Sequence, residues 1–126
     1  MDEKTLFFFA KKPESLPLYE QLERRIQSEI QDVSVKVQKT QISFYNRRLF
    51  ACVSFTKVRT GPQKPRHGLT LTFGLGRRLD SPRIDAATEP YPSRWTHHIF
   101  LSDAAEIDGE LMAWLQEASA FSAGKR

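Results

Sequence analysis

Residues 41–56 read Gln-Ile-Ser-Phe-Tyr-Asn-Arg-Arg-Leu-Phe-Ala-Cys-Val-Ser-Phe-Thr. Apolar side chains alternate with polar ones on both sides of Asn46-Arg47-Arg48, a pattern typical of two half-buried strands joined by a hairpin turn. We therefore expect strands at about 41–45 and 49–58. Because successive side chains of a strand point to opposite faces, Leu49, Ala51 and Val53 should face the core.

Other segments of the chain extend this pattern into a sheet with a helix at each end. Alternation predicts further strands at about 33–37, 68–74 and 95–101. Apolar residues spaced three and four apart predict helices at about 16–30 and 103–122. Ser15 is the expected N-cap of the first helix. Ser102 or Asp103 is expected to cap the second, with Glu106 placed three residues beyond Asp103 as in a capping box.

Three segments show weaker patterns. The phenylalanines of residues 7–9 are expected to fold onto the core as a short strand or an apolar plug. Residues 59–67 have the Pro and Gly content of a polar loop. Residues 74–94 are compatible with a short strand or a helical turn around Ile84, and Pro90 and Pro92 argue against a regular central strand there.

This order of helix, strands and helix predicts an α+β fold. Two amphipathic helices, one N-terminal and one C-terminal, would pack on one face of a mainly antiparallel sheet to form a two-layer sandwich. The length of 126 residues fits a single domain that covers residues 1–126.

Composition narrows the class of protein. Hydrophobic residues make up 40% of the chain and charged residues 27%, as in folded globular proteins. The first apolar run follows Asp2 and Glu3 rather than basic residues, so a signal peptide is not expected, and no run is long enough to span a membrane. The single cysteine, Cys52, cannot form an internal disulfide. We expect a soluble cytoplasmic protein without a membrane partner.

The charges are distributed unevenly. Residues 36–94 hold twelve Lys or Arg and three Asp or Glu, while the segments before and after are mildly acidic. A basic block of this kind predicts attraction for an anionic ligand, a nucleic acid or an acidic protein partner. Ordinary solvated surface charge is the alternative.

The sheet face that the helices leave uncovered is expected to be polar. By alternation, its side chains are Gln41, Ser43, Cys52, Ser54, Thr56, Thr70, Thr72, Thr96 and His98. Such a face could form a shallow groove ringed by the basic residues Lys39, Arg47, Arg48, Arg77, Arg78 and Arg94. The alternative is that threonine is simply a good strand former.

The histidines and the cysteine are the candidates for chemistry. His97 and His98 are neighbours on a strand and point to opposite faces, so they are not expected to hold one metal ion. We expect His97 to be a core residue and His98 to contact a ligand or transfer a proton. Cys52 has the context of a quiet thiol, and no metal or cofactor is expected. The segment from Gly74 to Arg78 matches no phosphate-loop motif.

The strand sequences themselves resemble a known family. Residues 37–44, Val-Gln-Lys-Thr-Gln-Ile-Ser-Phe, residues 50–53, Phe-Ala-Cys-Val, and residues 92–98, Pro-Ser-Arg-Trp-Thr-His-His, are similar to those of a bacterial domain of unknown function. The resemblance implies no reaction or cofactor. It directs attention to Lys39, Gln41, Arg94, Trp95, Thr96, His97 and His98.

A second likeness is architectural. The helix–sheet–helix order also resembles frataxin-type folds, which bind iron through an acidic first helix. In this chain Glu20 and Glu23 are followed by Arg24 and Arg25, so iron binding is not expected.

Three functional hypotheses follow. The first, which we favour, is a non-enzymatic binding module that recognises an anionic ligand, nucleic acid or protein partner on its basic face, with Lys39, Arg47, Arg48 and Arg94 attracting it. The second is a small hydrolase or transferase with His98 as general base, assisted by Cys52 or a metal. The third is a module that self-associates as a homodimer through its open sheet face.

Overall fold

The computed structural model describes residues 3–56 and 68–124. Its helices are α1 (Glu3–Phe8), α2 (Leu16–Glu29) and α3 (Gly109–Ala123), and single 3-10 turns occupy Pro13–Ser15 and Ala104–Glu106. Its strands are β1 (Ser34–Val37), β2 (Gln41–Tyr45), β3 (Leu49–Ser54), β4 (Leu69–Leu75), β5 (Ala86–Tyr91) and β6 (Arg94–Leu101). None of the helices in the described ranges is long and apolar enough to cross a bilayer.

The strands form one antiparallel sheet in the order β1-β2-β3-β4-β6-β5. The α+β fold predicted from the sequence is confirmed. The hairpin of β2 and β3 places Ile42 opposite Val53 and Phe44 opposite Ala51, and β3 and β4 are the two central strands of the sheet. The five predicted strands are all present, and their ends differ from the observed ones by at most one residue, except that β3 ends at Ser54 instead of residue 58.

Both long helices pack on the same face of the sheet. Phe44, Ala51 and Phe73 are directly opposite one another on β2, β3 and β4, so their side chains share one face. The ring of Tyr19 in α2 lies 6.4 Å from that of Phe44, and the ring of Trp114 in α3 lies 6.3 Å from that of Phe73. These contacts form the core, and the opposite face carries no helix among the described residues.

The cap of α2 and the start of α3 differ from the predictions, whereas α2 begins at Leu16 as predicted. Ser15 precedes α2, but its hydroxyl donates to the carbonyl oxygen of Gly68 (3.1 Å) instead of capping the helix. The capping box of Asp103 and Glu106 is present, yet it closes only the 3-10 turn. Helix α3 begins six residues later than predicted, where the Asp108 carboxylate accepts from the Leu111 N–H (3.0 Å).

Helix α1 was not predicted, and β5 is the short strand with which residues 74–94 are compatible, placed just after Ile84. The phenylalanine segment packs on the core through Phe8 and Phe9, as predicted, but residues 3–8 form the helix α1 instead of a strand, and Phe7 is 81% exposed. Strand β5 occupies part of 74–94 despite Pro90. It is an edge strand, and its pairing with β6 shifts between Thr88 and Tyr91, so the missing N–H of proline breaks no regular ladder bond.

A bulge changes the start of β3. The pairing register of β2 with β3 shifts between Phe44 and Tyr45: Phe44 pairs with Ala51, but Tyr45 pairs with Leu49, and Phe50 is the extra residue. As a result Phe50 is buried while Leu49, predicted to face the core, is 43% exposed. The predicted loop 59–67 and the last two residues of the predicted strand 49–58 lie outside the described residues.

Candidate functional site

A row of small polar side chains crosses the centre of the open sheet face. Ser43 of β2 is opposite Cys52 of β3, Cys52 is opposite Thr72 of β4, and Thr72 is opposite His98 of β6. Side chains directly opposite on an antiparallel pair lie about 5 Å apart, which is close enough for contact. The alternation in the sequence predicted correctly that these four side chains share one face of the sheet.

Most hydroxyl groups of this face are already used inside the protein. The Ser43 hydroxyl donates to the side-chain oxygen of Gln38 (3.1 Å) and accepts from the side-chain amide of Gln41 (2.7 Å). The Thr70 hydroxyl donates to the carbonyl oxygen of Thr56 (2.5 Å). Ser43, Ser54 and Thr70 are all buried. The hydroxyl-lined surface is therefore narrower than predicted.

Cys52, Thr72 and His98 form a connected group, but their protonation states do not suit nucleophilic catalysis. The Thr72 hydroxyl is 2.8 Å from Nδ1 of His98. Burial raises the pKa of the Cys52 thiol, and a hydrogen bond with Thr72 offsets part of that effect. Burial also lowers the pKa of His98. Both groups are thus held neutral, the reverse of the thiolate–imidazolium pair that activates a catalytic cysteine.

His97 is on the other face of β6 and belongs to the core. Its side chain is fully buried, its ring stacks on Phe73 at 5.3 Å, and its Nε2 accepts from the Leu79 N–H at 3.0 Å. Its pKa is lowered, chiefly by burial, so the ring is neutral. His97 fastens the segment after β4 to the helix side of the sheet and does not share a surface with His98.

The predicted basic residues are concentrated at one end of the sheet. The β2–β3 turn, the end of β4 and the β5–β6 turn are adjacent along this end, because Leu75 is opposite Trp95 and Tyr91 is opposite Arg94. We call these residues the arginine end: Arg47, Arg48, Arg77, Arg78 and Arg94. Lys39 is in the β1–β2 turn at the opposite end, so the predicted basic residues do not form a ring.

Local contacts hold the loops of the arginine end in place. The side-chain oxygen of Asn46 accepts from the backbone N–H of Arg47 (2.5 Å). The side-chain NH2 of Asn46 donates to the backbone carbonyl of Ser119 in α3 (2.7 Å). These bonds fix the β2–β3 turn on the helix layer and leave the side chains of Arg47 and Arg48 exposed. Asn46 is a positioning residue that the sequence marked only as part of a turn.

Two arginines of this end have partners. The Arg77 guanidinium makes a bidentate contact with Glu117 of α3 (2.8 and 2.9 Å), which lowers the pKa of the Glu117 carboxyl. The guanidinium of Arg78 lies over the Trp95 ring, 5.6 Å from its centroid. The charge of Arg77 is therefore paired with a carboxylate, whereas Arg78 is held against an aromatic ring and has no such pairing with a described residue.

Aromatic and hydroxyl groups accompany the arginines. Tyr91 in β5 is 65% exposed, and Tyr45 ends β2 at the same end of the sheet. Thr96 lies between Thr88 and Gly74, and a side chain added at the glycine would be in ordinary contact with the Trp95 carbonyl oxygen, 3.8 Å away. Thr88 and Tyr91 escaped the sequence analysis because the Pro-rich segment that holds them lacks an alternating pattern.

The remaining candidates have other surroundings. Gln41 is at the far end of β2 and is engaged with Ser43. Arg83, a basic residue not singled out from the sequence, is bound to Asp108 and Glu110 (both 2.9 Å) and anchors the start of α3. Within residues 3–56 and 68–124 no three His, Cys, Asp or Glu side chains are grouped as a metal site.

Comparison with known proteins gives a family without an assigned activity. The family model for the domain of unknown function DUF5655 matches residues 7–122. The chain therefore belongs to this family. No curated protein and no solved structure matches the chain.

Proposed function

We propose that this member of the DUF5655 family is a non-enzymatic module that binds single-stranded nucleic acid at its arginine end. The observation that supports this most is the placement of arginine-bearing loops side by side along one end of the sheet. Strands are spaced about 4.8 Å apart, so the loops from the β2–β3 turn to the β5–β6 turn form a row about 14 Å long. Guanidinium groups in such a row can contact several successive phosphates.

The aromatic residues favour a single strand over a compact anion. Tyr91 and Tyr45 are at the same end as the arginines, and an exposed aromatic ring offers a stacking surface to any unpaired base. The hydroxyls of Thr88 and Thr96 add hydrogen-bonding groups beside them. The net charge of +4 and the sequence pI of about 9.4 fit a polyanionic partner.

We also propose that the module acts in the bacterial cytoplasm, in keeping with its single free cysteine and with the bacterial proteins that its strands resemble. The second hypothesis, a hydrolase or transferase that uses His98 and Cys52, has the raised thiol pKa against it. Nothing in the described contacts favours the homodimer over a monomer.

Fluorescence anisotropy with a labelled twelve-nucleotide single strand tests the proposal. Replacing Arg47, Arg48 and Arg94 together by Gln should weaken binding more than tenfold at 150 mM salt. Each lost phosphate contact reduces the slope of log K against log salt by about 0.7, so the slope should become about 2 units shallower.

The matched control removes the same charge elsewhere. Replacing Lys4, Lys11 and Lys12 together by Gln should change the affinity at 150 mM salt by less than twofold, because these residues lie at the other end of the molecule. Equal losses in the two triple variants would mean that only net charge matters. That result, or no salt-dependent binding by the wild type, would overturn the proposal.

A further inference from the structure

A second surface lies at the end of the sheet opposite the arginine end, where α1 approaches the β1–β2 turn. Two adjoining depressions of about 520 and 600 Å³ share Phe7, Phe8 and Lys39 in their walls. We call this surface the lysine groove. Phe7, Phe8 and Phe55 form its apolar part, and its basic residues are Lys4, Lys11, Lys12 and Lys39. It is independent of the proposed function.

The apolar part of the groove is preformed. The Phe8 ring stacks on Phe55 with centroids 5.1 Å apart, and the buried Phe9 packs edge-on against both rings. Lys12 is over the Phe55 ring, with Nζ 5.1 Å from its centroid. A partner that enters the groove thus meets an ordered aromatic surface, which reduces the entropy lost on binding.

Phe7 differs from its neighbours because it is 81% exposed. A phenylalanine left in water forgoes a stabilisation of roughly 2 kcal/mol that burial would provide. The Phe7 side chain lies in the walls of both depressions, so one bound segment that fills them would cover it. Exposed aromatics beside a concave apolar surface are typical of protein contact sites.

The charges around the groove specify the partner's chemistry. Four lysines, Lys4, Lys11, Lys12 and Lys39, line it together with one carboxylate, Glu3. An acidic partner is attracted by this excess, whereas a second copy of the chain would bring the same lysines towards it. The recessed shape admits single side chains, which a flat lipid surface does not supply.

We propose that the lysine groove binds an acidic peptide segment of a partner protein, with a bulky apolar side chain against Phe7 and Phe55. This mode resembles the insertion of apolar anchors from a short segment into a preformed groove. The lysines position the acidic residues on either side of the anchor and favour a rapid encounter.

Selection from a displayed library of random twelve-residue peptides against the full chain tests this proposal. Enriched peptides should carry Asp or Glu on both sides of Phe, Trp, Leu or Met. A synthetic copy of an enriched peptide should lose at least tenfold in affinity with Phe7→Ala and with the double variant Lys11→Glu/Lys39→Glu. Phe7 is largely solvated, so the first change should leave the fold unaltered.

The controls separate this proposal from the others. Arg47→Gln/Arg94→Gln should leave peptide affinity within twofold, whatever that variant does to oligonucleotide binding. Absence of acidic–apolar enrichment, or equal peptide binding by wild type and Phe7→Ala, would overturn the proposal. Binding to vesicles with 30% phosphatidylserine that depends on Phe7 would instead assign the groove to membranes, and Phe7-dependent dimers in light scattering would assign it to a second copy.

Discussion

Two adjacent histidines show how one position along a strand changes the chemistry of a side chain. His98 faces the open side and contacts Thr72, while His97 is buried and accepts from Leu79. Alternation alone predicted that the two point in opposite directions. It could not predict the partner of His97, since Leu79 comes from an irregular segment whose path is set by tertiary packing.

The burial of His97 predicts a loss of stability in mild acid. Its pKa is lowered in the folded chain, so below about pH 6.5 the unfolded chain takes up a proton that the folded chain does not. The contribution of His97 to the free energy of unfolding should therefore be constant above this pH and fall below it, by at most about 1.4 kcal/mol per pH unit.

Urea unfolding at pH 7.5, 6.5 and 5.5 measures this effect. His97→Gln keeps an acceptor for the Leu79 N–H but does not titrate, so its pH dependence should be shallower than that of the wild type. The pKa of His98 is also lowered, so the pH dependence of His98→Gln shows how much of the wild-type effect comes from the second histidine. An unchanged pH dependence in His97→Gln would show that the buried ring does not contribute.

Among the secondary-structure elements, the strands with alternating apolar and polar residues were predictable, whereas α1 and β5, which lack a periodic pattern, were not. β2 and β4 present apolar residues to the helices at every second position, and β6 does so except at His97. Burial of that face fixes the register of these strands. β5 has no such pattern because it is an edge strand with mostly exposed side chains. α1 has six residues, fewer than periodicity requires, and its folding depends on contacts of Phe8 and Phe9 with the core.

The start of α3 illustrates a choice between two adequate caps. Asp103 and Asp108 both accept backbone N–H groups, and only the structure shows that the second begins the long helix. Hydrogen bonds from the Leu111 N–H and from Arg83 lower the pKa of the Asp108 carboxyl, so this carboxylate is charged at neutral pH.

Alanine substitution distinguishes these caps energetically. Asp108→Ala removes the N-cap of α3 and its contact with Arg83, and should lower the free energy of unfolding by about 1–2 kcal/mol. Asp103→Ala releases only the 3-10 turn and should cost less than about 0.5 kcal/mol. Chemical denaturation of both variants provides the measurement, and a larger effect at Asp103 would contradict this assignment of the helix start.

For the whole molecule, the sequence predicted a central basic block but not its division between two ends. Lys39 and Arg47 are eight residues apart in the chain, yet antiparallel pairing of β1, β2 and β3 places their turns at opposite ends of the sheet. A strand of seven residues such as β4 is about 20 Å long. The two basic surfaces are therefore farther apart than the Debye length of about 8 Å at physiological salt.

This separation predicts that the two ends cooperate only at low ionic strength. At 10 mM salt the Debye length rises to about 30 Å, so the lysines at one end add to the field that attracts an oligonucleotide to the arginines at the other. In stopped-flow mixing with the labelled single strand, replacing Lys4, Lys11 and Lys12 by Gln should slow association several-fold at 10 mM salt and leave it unchanged at 150 mM. A slowing that persists at 150 mM would mean that the lysines touch the oligonucleotide, and the binding surface would then have to extend across the sheet.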